Sequence, residues 1–417
     1  MDKQTADLRH NYLVNILDAS FFGIAFGFAS LSTVLPLFVS SMTSSAFLIG
    51  LIPAIHYTTW QLPQLFNANR TARLTHFKTD AVKISIHERI PYFFLAILAL
   101  FLPTIGPTIG LVLTFLFLIW QGLGGGFAGN PWQNMIAKVI PQDSLATFYG
   151  LQSSASSLTS AFGATMAGII LEAYTFPQNF FFIFFIASIA QVISWLFLNS
   201  TREPIRPLEN LPENQPRIWQ GVKTILKKDK DFRWFLMTRM MLPFSMMAFA
   251  FYSVYAVRVH GIHEGMVGFL GGAMMIAQVT ANPILGWLAD RWSRKRVLEI
   301  GAIASTVSSF LAFAAPNISW FFVVFILAGL VNTVYWTVGL SISVSFGTEA
   351  ERPTYIGMSN TLIAPCAIIA PMLGGWLADM AGYPATFIFA SAAGLISLLI
   401  IQFFVHIPQT RRKPAFI

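Results

Sequence analysis

Long apolar stretches broken by short polar segments run the length of the chain. Twelve of them, roughly at 13–38, 45–67, 84–104, 107–131, 147–171, 177–199, 232–257, 265–288, 297–315, 319–346, 354–378 and 384–406, approach the ~20 residues a helix needs to cross ~30 Å of hydrocarbon. Several contain Gly or Pro, which a membrane helix tolerates where neighbouring helices satisfy the freed backbone groups. The pattern predicts an all-α integral membrane protein with twelve transmembrane helices.

The pattern also repeats. At a spacing of 207 residues, Gly150 falls on Gly357, Gly168 on Gly375, Glu172 on Asp379, Pro177 on Pro384 and Phe180 on Phe387; in the same register Gly122-Leu123 falls on Gly329-Leu330. Two pseudo-symmetric six-helix bundles follow, residues 1–200 and 232–417, the second ending in a short cytoplasmic tail, with 201–231 as a cytoplasmic linker. Two like-oriented halves in a membrane can rock about a site held between them, so the repeat points to transport as well as to fold.

Composition agrees. With 55% hydrophobic residues, 11% charged, 40 Phe and 11 Trp, a soluble domain would have too little polar surface. The formal charge of +8 could suggest nucleic acid, but the cations sit where topology wants them. Of 26 Lys and Arg, only Arg258 is placed in an external loop and only Arg239 well inside a span, Arg89 and Arg233 lying near span starts. That positive-inside distribution puts both termini in the cytoplasm of a cell whose plasma membrane the chain crosses, with anionic lipid headgroups as neighbours and no nucleic acid partner. The first apolar run is too long for a cleavable signal and lacks a small-residue cleavage site. The single cysteine, Cys366, excludes an internal disulfide and is expected to pack within the eleventh helix.

Two connections are basic. Residues 200–231 carry Pro204, Pro207, Pro212 and Pro216, then Lys223, Lys227, Lys228 and Lys230; from Trp219 onward they are either a helix on the inner membrane surface, with Trp219, Val222 and Ile225 at helical spacing, or a solvated linker. Residues 68–89 are read as a second internal connection bearing Arg70, Arg73, Lys78, Lys83 and Arg89. Neither has room for a catalytic domain.

Between spans eight and nine stands Gly286-Trp287-Leu288-Ala289-Asp290-Arg291-Trp292-Ser293-Arg294-Lys295-Arg296. This resembles the loop signature of the major facilitator superfamily, and the resemblance extends at the level of spans over the whole chain. Physically, the glycine allows close helix approach, and a carboxylate at a helix end can meet a neighbouring helix N-terminus and the basic cluster. The resemblance implies a conformational latch that stabilises an outward-facing state, built from Gly286, Asp290, Arg291 and Arg294. The equivalent loop between spans two and three is Pro63-Gln64-Leu65-Phe66-Asn67, with Asn67 where the acid would sit, so the latch is expected on one side only. In span four, Gln121-Gly122-Leu123-Gly124 resembles the end of the superfamily's proton-transfer motif, with Leu118 where its arginine would stand. The superfamily's antiporter motif is weakened in span five, Gly163 to Gly168, and better kept in span eleven as Ala370-Pro371-Met372-Leu373-Gly374-Gly375, where simple packing glycines would look the same.

Ionisable groups inside the spans are few. Asp18, in span one, must face a cavity, find a partner or hold a proton. Laying span one over span seven, with Phe28 on Phe249, puts Asp18 on Arg239, so a gate pair between Asp18 and Arg239 is expected, with snorkelling of Arg239 to the headgroups as the alternative. His56, near the middle of span two, is a second candidate for proton or cation coupling, or a hydrogen-bonded packing residue. Gln121, Gln152, Gln278, Asn282, Asn332, Trp336 and Asn360 lie on the helices expected to line a substrate cavity, though any one could be only an interhelical hydrogen bond.

These features predict a monomeric secondary transporter working by alternating access, with no cofactor and no catalytic or metal site. Proton-coupled export of amphipathic, drug-like compounds is the favoured function; import or passive facilitation of sugars or other polar metabolites is the alternative. No Gly-x-x-x-x-Gly-Lys-Ser/Thr loop occurs, which argues against ATP hydrolysis as the energy source. A membrane enzyme would need acids, histidines or cysteines gathered at one depth, whereas Asp18, His56 and Cys366 are dispersed.

Overall fold

The computed structural model describes residues 3–31, 34–43, 46–204, 218–260, 264–348 and 351–407, so Pro207, Pro212 and Pro216 of the linker lie outside the described residues, as do the side chains of Arg258 and Asp379. Among the described residues the regular structure is entirely helical, and each predicted span has its counterpart. Span one is α1 (Lys3–Phe28) and α2 (Val34–Ser40); span two is α3 (Ala46–Gln61) and α4 (Pro63–Phe66), followed by the short α5 (Ala68–Ala72). Spans three to six are α6 (Phe77–Ile105), α7 (Pro107–Val139), α8 (Leu145–Ala173) and α9 (Gln178–Asn199). After α10 (Ile218–Lys228), span seven is α11 (Lys230–Met246) with α12 (Phe249–His260), and span eight is α13 (Glu264–Leu288). A π-helical turn, Ala289–Ser293, leads to α14 (Arg294–Ala314); span ten is α15 (Ser319–Thr333), a second π-helical turn at Val334–Val338, and α16 (Gly339–Ser343). Span eleven divides into α17 (Arg352–Thr361) and α18 (Ala364–Ala381), and α19 (Tyr383–Phe404) is the twelfth.

The chain forms two compact units. Unit 1 comprises Met1–Ile140, Ala155–Gln215 and Glu349–Thr361; unit 2 comprises Pro141–Ser154, Pro216–Thr348 and Leu362–Ile417. In unit 1, α6 packs against α7 and α9, α1 against α9, and α3 against α7. Its core holds Phe38, Phe180, Ile183 and Phe184 at or near zero exposure. In unit 2, α15 packs against α13 and α14, and α19 against α14 and α11. There Tyr252 is buried among Phe325 and Phe387, its hydroxyl hydrogen-bonded to Ser308 and Ser309. Phenylalanine turned outward, at Phe93, Phe101, Phe310 and Phe403 for example, gives both units the apolar exterior that lipid requires.

Two connections differ from the sequence reading. The segment 68–89 is not a loop: α6 begins at Phe77, and Glu88 and Arg89 are buried well inside it. The first residues of the expected linker are also anchored. The Glu203 carboxylate, buried, accepts the N–H groups of Phe77 (3.1 Å) and Lys78 (2.6 Å) at the start of α6 and the ammonium of Lys138 (2.7 Å). An acid at a helix N-terminus satisfies donors that have no partner within the helix. Farther on, α10 buries Val222 and Ile225 and leaves Trp219 exposed.

Candidate functional site

In unit 1 the buried charges gather at the level of α6. The heptad run Ser85, Glu88, Arg89 and Tyr92 makes one polar stripe on this otherwise apolar helix. Arg89 Nη2 lies 3.4 Å from Asp18 Oδ1 on α1 and 3.2 Å from the hydroxyl of Ser194 on α9, and Ser194 donates to the same Asp18 oxygen at 2.6 Å. Arg89 Nη1 donates to the Ser85 carbonyl at 3.2 Å and stands 3.7 Å from Glu88 Oε2. The ring of Phe22 covers the guanidinium, 5.6 Å from its centroid to Cζ. Asp18, Glu88, Arg89 and Ser194 are each at most 8% exposed. Two carboxyl groups therefore share one guanidinium in a site closed to water. Asp18 forms its ion pair with Arg89, inside its own unit; Arg239 belongs to unit 2. In sequence a cation near the start of a span, such as Arg89, reads as a topology charge, although Ser85, Glu88, Arg89 and Tyr92 fall on one helix face.

His56 lies in the same unit. Its Nδ1–H donates to the Gln121 side-chain carbonyl at 2.9 Å, and its ring packs edge-on against Phe26 and Tyr57. Gln121 Nε2 is buried without a partner. A second amide node forms at Gln64 on α4, whose Oε1 accepts from Asn360 on α17 (2.6 Å) and from Gln133 on α7 (3.3 Å). Asn130 Nδ2 donates to the carbonyls of Gln64 (3.0 Å) and Pro353 (2.8 Å), seating α17 in unit 1. Asn360 thus serves as an interhelical hydrogen bond, and Gln64, Asn130 and Gln133 are partners that spacing alone did not single out.

In unit 2 the glycine-and-acid loop closes on the first turn of α8. Asp290 Oδ2 accepts both the N–H (2.6 Å) and the hydroxyl (2.9 Å) of Thr147, and Oδ1 accepts the N–H of Ala146 (3.3 Å) and a proton of Arg294 Nη2 (3.3 Å). Arg294 Nη2 also donates to the Gln142 carbonyl at 2.6 Å. A Cβ at Gly286 would strike the Ala146 carbonyl, and one at Gly150 the Asn282 carbonyl, so the seam between α8 and α13 requires glycine from both sides. The cation that meets Asp290 is Arg294; Arg291 is exposed. The repeat partner of this seam is built differently. Asn67, at the position of Asp290, donates to the Phe127 carbonyl (2.8 Å), and Pro353, which falls on Ala146, has no N–H to offer a cap.

Other expected cavity residues take separate places. Asn282 Oδ1 accepts from Thr337 at 2.8 Å, Gln152 is buried near the start of α8, and Gln278 and Asn332 are half-buried. Trp336, in the second π-helical turn, stands perpendicular to Tyr335 at 5.0 Å. Arg239, 3% exposed, lies over the Tyr335 ring at 5.2 Å, while its Nε and Nη1 have no partner. Among the described residues no group of His, Cys, Asp or Glu is arranged to hold a metal ion.

Known proteins give the same picture. The profile of the Major Facilitator Superfamily matches residues 84–261 and 241–415. The chain is 31% identical over 161 residues to a Na(+), Li(+), K(+)/H(+) antiporter of Planococcus maritimus, covering 36% of this chain and 37% of the antiporter. It is 22% identical over 156 residues to quinolone resistance protein NorA of Staphylococcus aureus, covering 37% of this chain and 40% of that relative. The chain thus aligns with well under half the length of each. Its fold is similar to the crystal structure of the Major Facilitator Superfamily transporter FucP in the outward conformation, with TM-score 0.75 at 14% identity over 95% of this chain and 98% of FucP. With two profile matches that together run through both repeats, this chain belongs to the Major Facilitator Superfamily of membrane transporters.

Proposed function

We propose that the protein is a proton-coupled exporter of amphipathic organic compounds, monomeric, working by alternating access in the plasma membrane with both termini cytoplasmic. The support that weighs most is the Asp18–Glu88–Arg89 cluster. With both carboxyl groups ionised it would hold one uncompensated negative charge away from water, a state costing several kcal/mol in real proteins. Taking up one proton or one cation removes that charge. A buried site that must gain and lose a positive charge is what a coupled carrier needs. Ser194 and Arg89 hold Asp18 in place, whereas the contact of Glu88 with Arg89 is looser at 3.7 Å, so Glu88 is the more exchangeable of the two. Asp290, Arg294 and Gly286 act as the conformational latch on the N-terminus of α8, made in one state and broken in another. His56, engaged with Gln121 among aromatic rings, is assigned a packing role.

A second reading, exchange of a monovalent metal cation for protons, is favoured by the likeness to the Planococcus antiporter. Both readings are tested in inverted vesicles under an imposed pH gradient, with wild type, Asp18→Asn and Glu88→Gln compared for uptake of a fluorescent lipophilic cation and of sodium. Gradient-driven dye uptake lost in both variants supports drug export; sodium uptake alone supports the second reading. No gradient-dependent uptake of either by folded wild type overturns both and directs the search to import or facilitation of polar metabolites.

A further inference from the structure

The acid cluster of unit 1 leaves a separate buried charge of unit 2 unexplained. Arg239, on α11, is 3% exposed, and among the described residues it makes no ion pair. What it has is one tyrosine, Tyr335, whose ring lies under Cζ at 5.2 Å. A cation–π contact of this kind contributes about 2 kcal/mol at most sites out of water, well short of what burying a guanidinium costs. Nε and Nη1 remain without acceptors. The backbone beside it is specialised as well. Tyr335 lies in the π-helical turn Val334–Val338, a rare distortion that gathers at functional sites, and a Cβ at the next residue, Gly339, would sit 2.6 Å from Nη1. Glycine there leaves the guanidinium its room, and Trp336 stands perpendicular to Tyr335 on the same turn.

We propose that Arg239 is the anion-binding residue of a carboxylate subsite in unit 2, taking the single carboxylate of an amphipathic aromatic acid. One guanidinium with no second cation beside it among the described residues neutralises one negative charge. A phosphate dianion would leave a buried excess charge, so a monoanion fits better. Nε and Nη1 lie on different edges of the guanidinium, so a carboxylate meets one of these free donors rather than both, and Tyr335 and Trp336 supply ring surface for an aromatic body. That the bound acid is cargo rests on the transport reading above; the subsite itself rests on Arg239 and its surroundings.

Binding to purified protein, with no membrane and no gradient, tests it. Calorimetric titration compares 4-tert-butylbenzoate with 4-tert-butylbenzamide, of the same shape without the charge. Wild type should bind the benzoate at least about tenfold more tightly than the amide. Arg239→Gln should abolish that preference while the amide binds as before, and Tyr335→Phe, which keeps the ring, should retain most of it. Should Arg239→Gln not fold, Arg239→Met serves: an apolar stem without the charge should lose the preference as well. Equal binding of acid and amide by wild type, an intact preference in Arg239→Gln, or no binding of the benzoate overturns the subsite. Failure of gradient-driven transport alongside intact discrimination overturns the transport reading and leaves the subsite standing.

Discussion

Thr147 donates both its backbone N–H, at 2.6 Å, and its hydroxyl, at 2.9 Å, to the same carboxylate oxygen of Asp290. An acid from the α13–α14 connection thereby caps a helix 143 residues away in sequence, where the helix dipole and unpaired N–H groups both favour negative charge. Asp290→Asn should cost about 1.5–3 kcal/mol, the range for hydrogen bonds to a charged group. The purified protein should then unfold at a lower temperature, and an unchanged midpoint would mean that the contact contributes nothing.

Close approach is the other half of that seam. Gly286 faces the Ala146 carbonyl with no room for a Cβ, so Gly286→Val has to push α8 and α13 apart. Overpacking costs about 1–3 kcal/mol where neighbours can shift, and more where the obstacle is backbone. The yield of monodisperse protein in detergent should fall sharply. Trp287→Ala, altering an exposed neighbour, should leave it near wild type.

Glu203 makes a prediction about the end of the first bundle. Its carboxylate is fully buried with Lys138 and two backbone N–H groups of α6, so Glu203→Gln leaves the ammonium of Lys138 without its counter-charge. Breaking a buried pair in this way costs about 3–5 kcal/mol, and removing both charges costs less. In thermal unfolding, Glu203→Gln combined with Lys138→Met should therefore be more stable than Glu203→Gln alone. A double variant that is less stable than the single one would refute the pairing.

For His56 the expectation is negative. Since its ring is fixed by Gln121 and by Phe26 and Tyr57, His56→Gln should lower stability and leave the pH dependence of transport where it was. A shifted pH profile would return His56 to the coupling machinery.

The periodic features were legible from the chain itself. Twelve apolar runs and the 207-residue register mark helices at the observed places, and the Gly286 to Arg296 motif marks the seam that Asp290 and Thr147 close. What stayed hidden depends on helix rotation and on where a helix starts. Arg89, at the start of the apolar run 84–104, looks like a topology cation until α6 is known to begin at Phe77, which puts Glu88 and Arg89 well inside the helix, beside Asp18 from α1 and Ser194 from α9. The repeat register aligns Asp18 with Arg239 as equivalent positions and does not say which side chains face each other. The same limit applies to Asn360, whose partner Gln64 lies 296 residues away.

Proton release on substrate binding tests the coupling cluster most directly. Purified protein in weakly buffered detergent, near neutral pH and with a pH-sensitive dye in solution, is mixed with a lipophilic cation, and the protons freed per protein are counted. About one is expected from wild type and none from the double variant Asp18→Asn with Glu88→Gln, because the cluster holds one removable positive charge. Binding by wild type with no proton released, or equal release by the double variant, would contradict a coupling site at Asp18, Glu88 and Arg89.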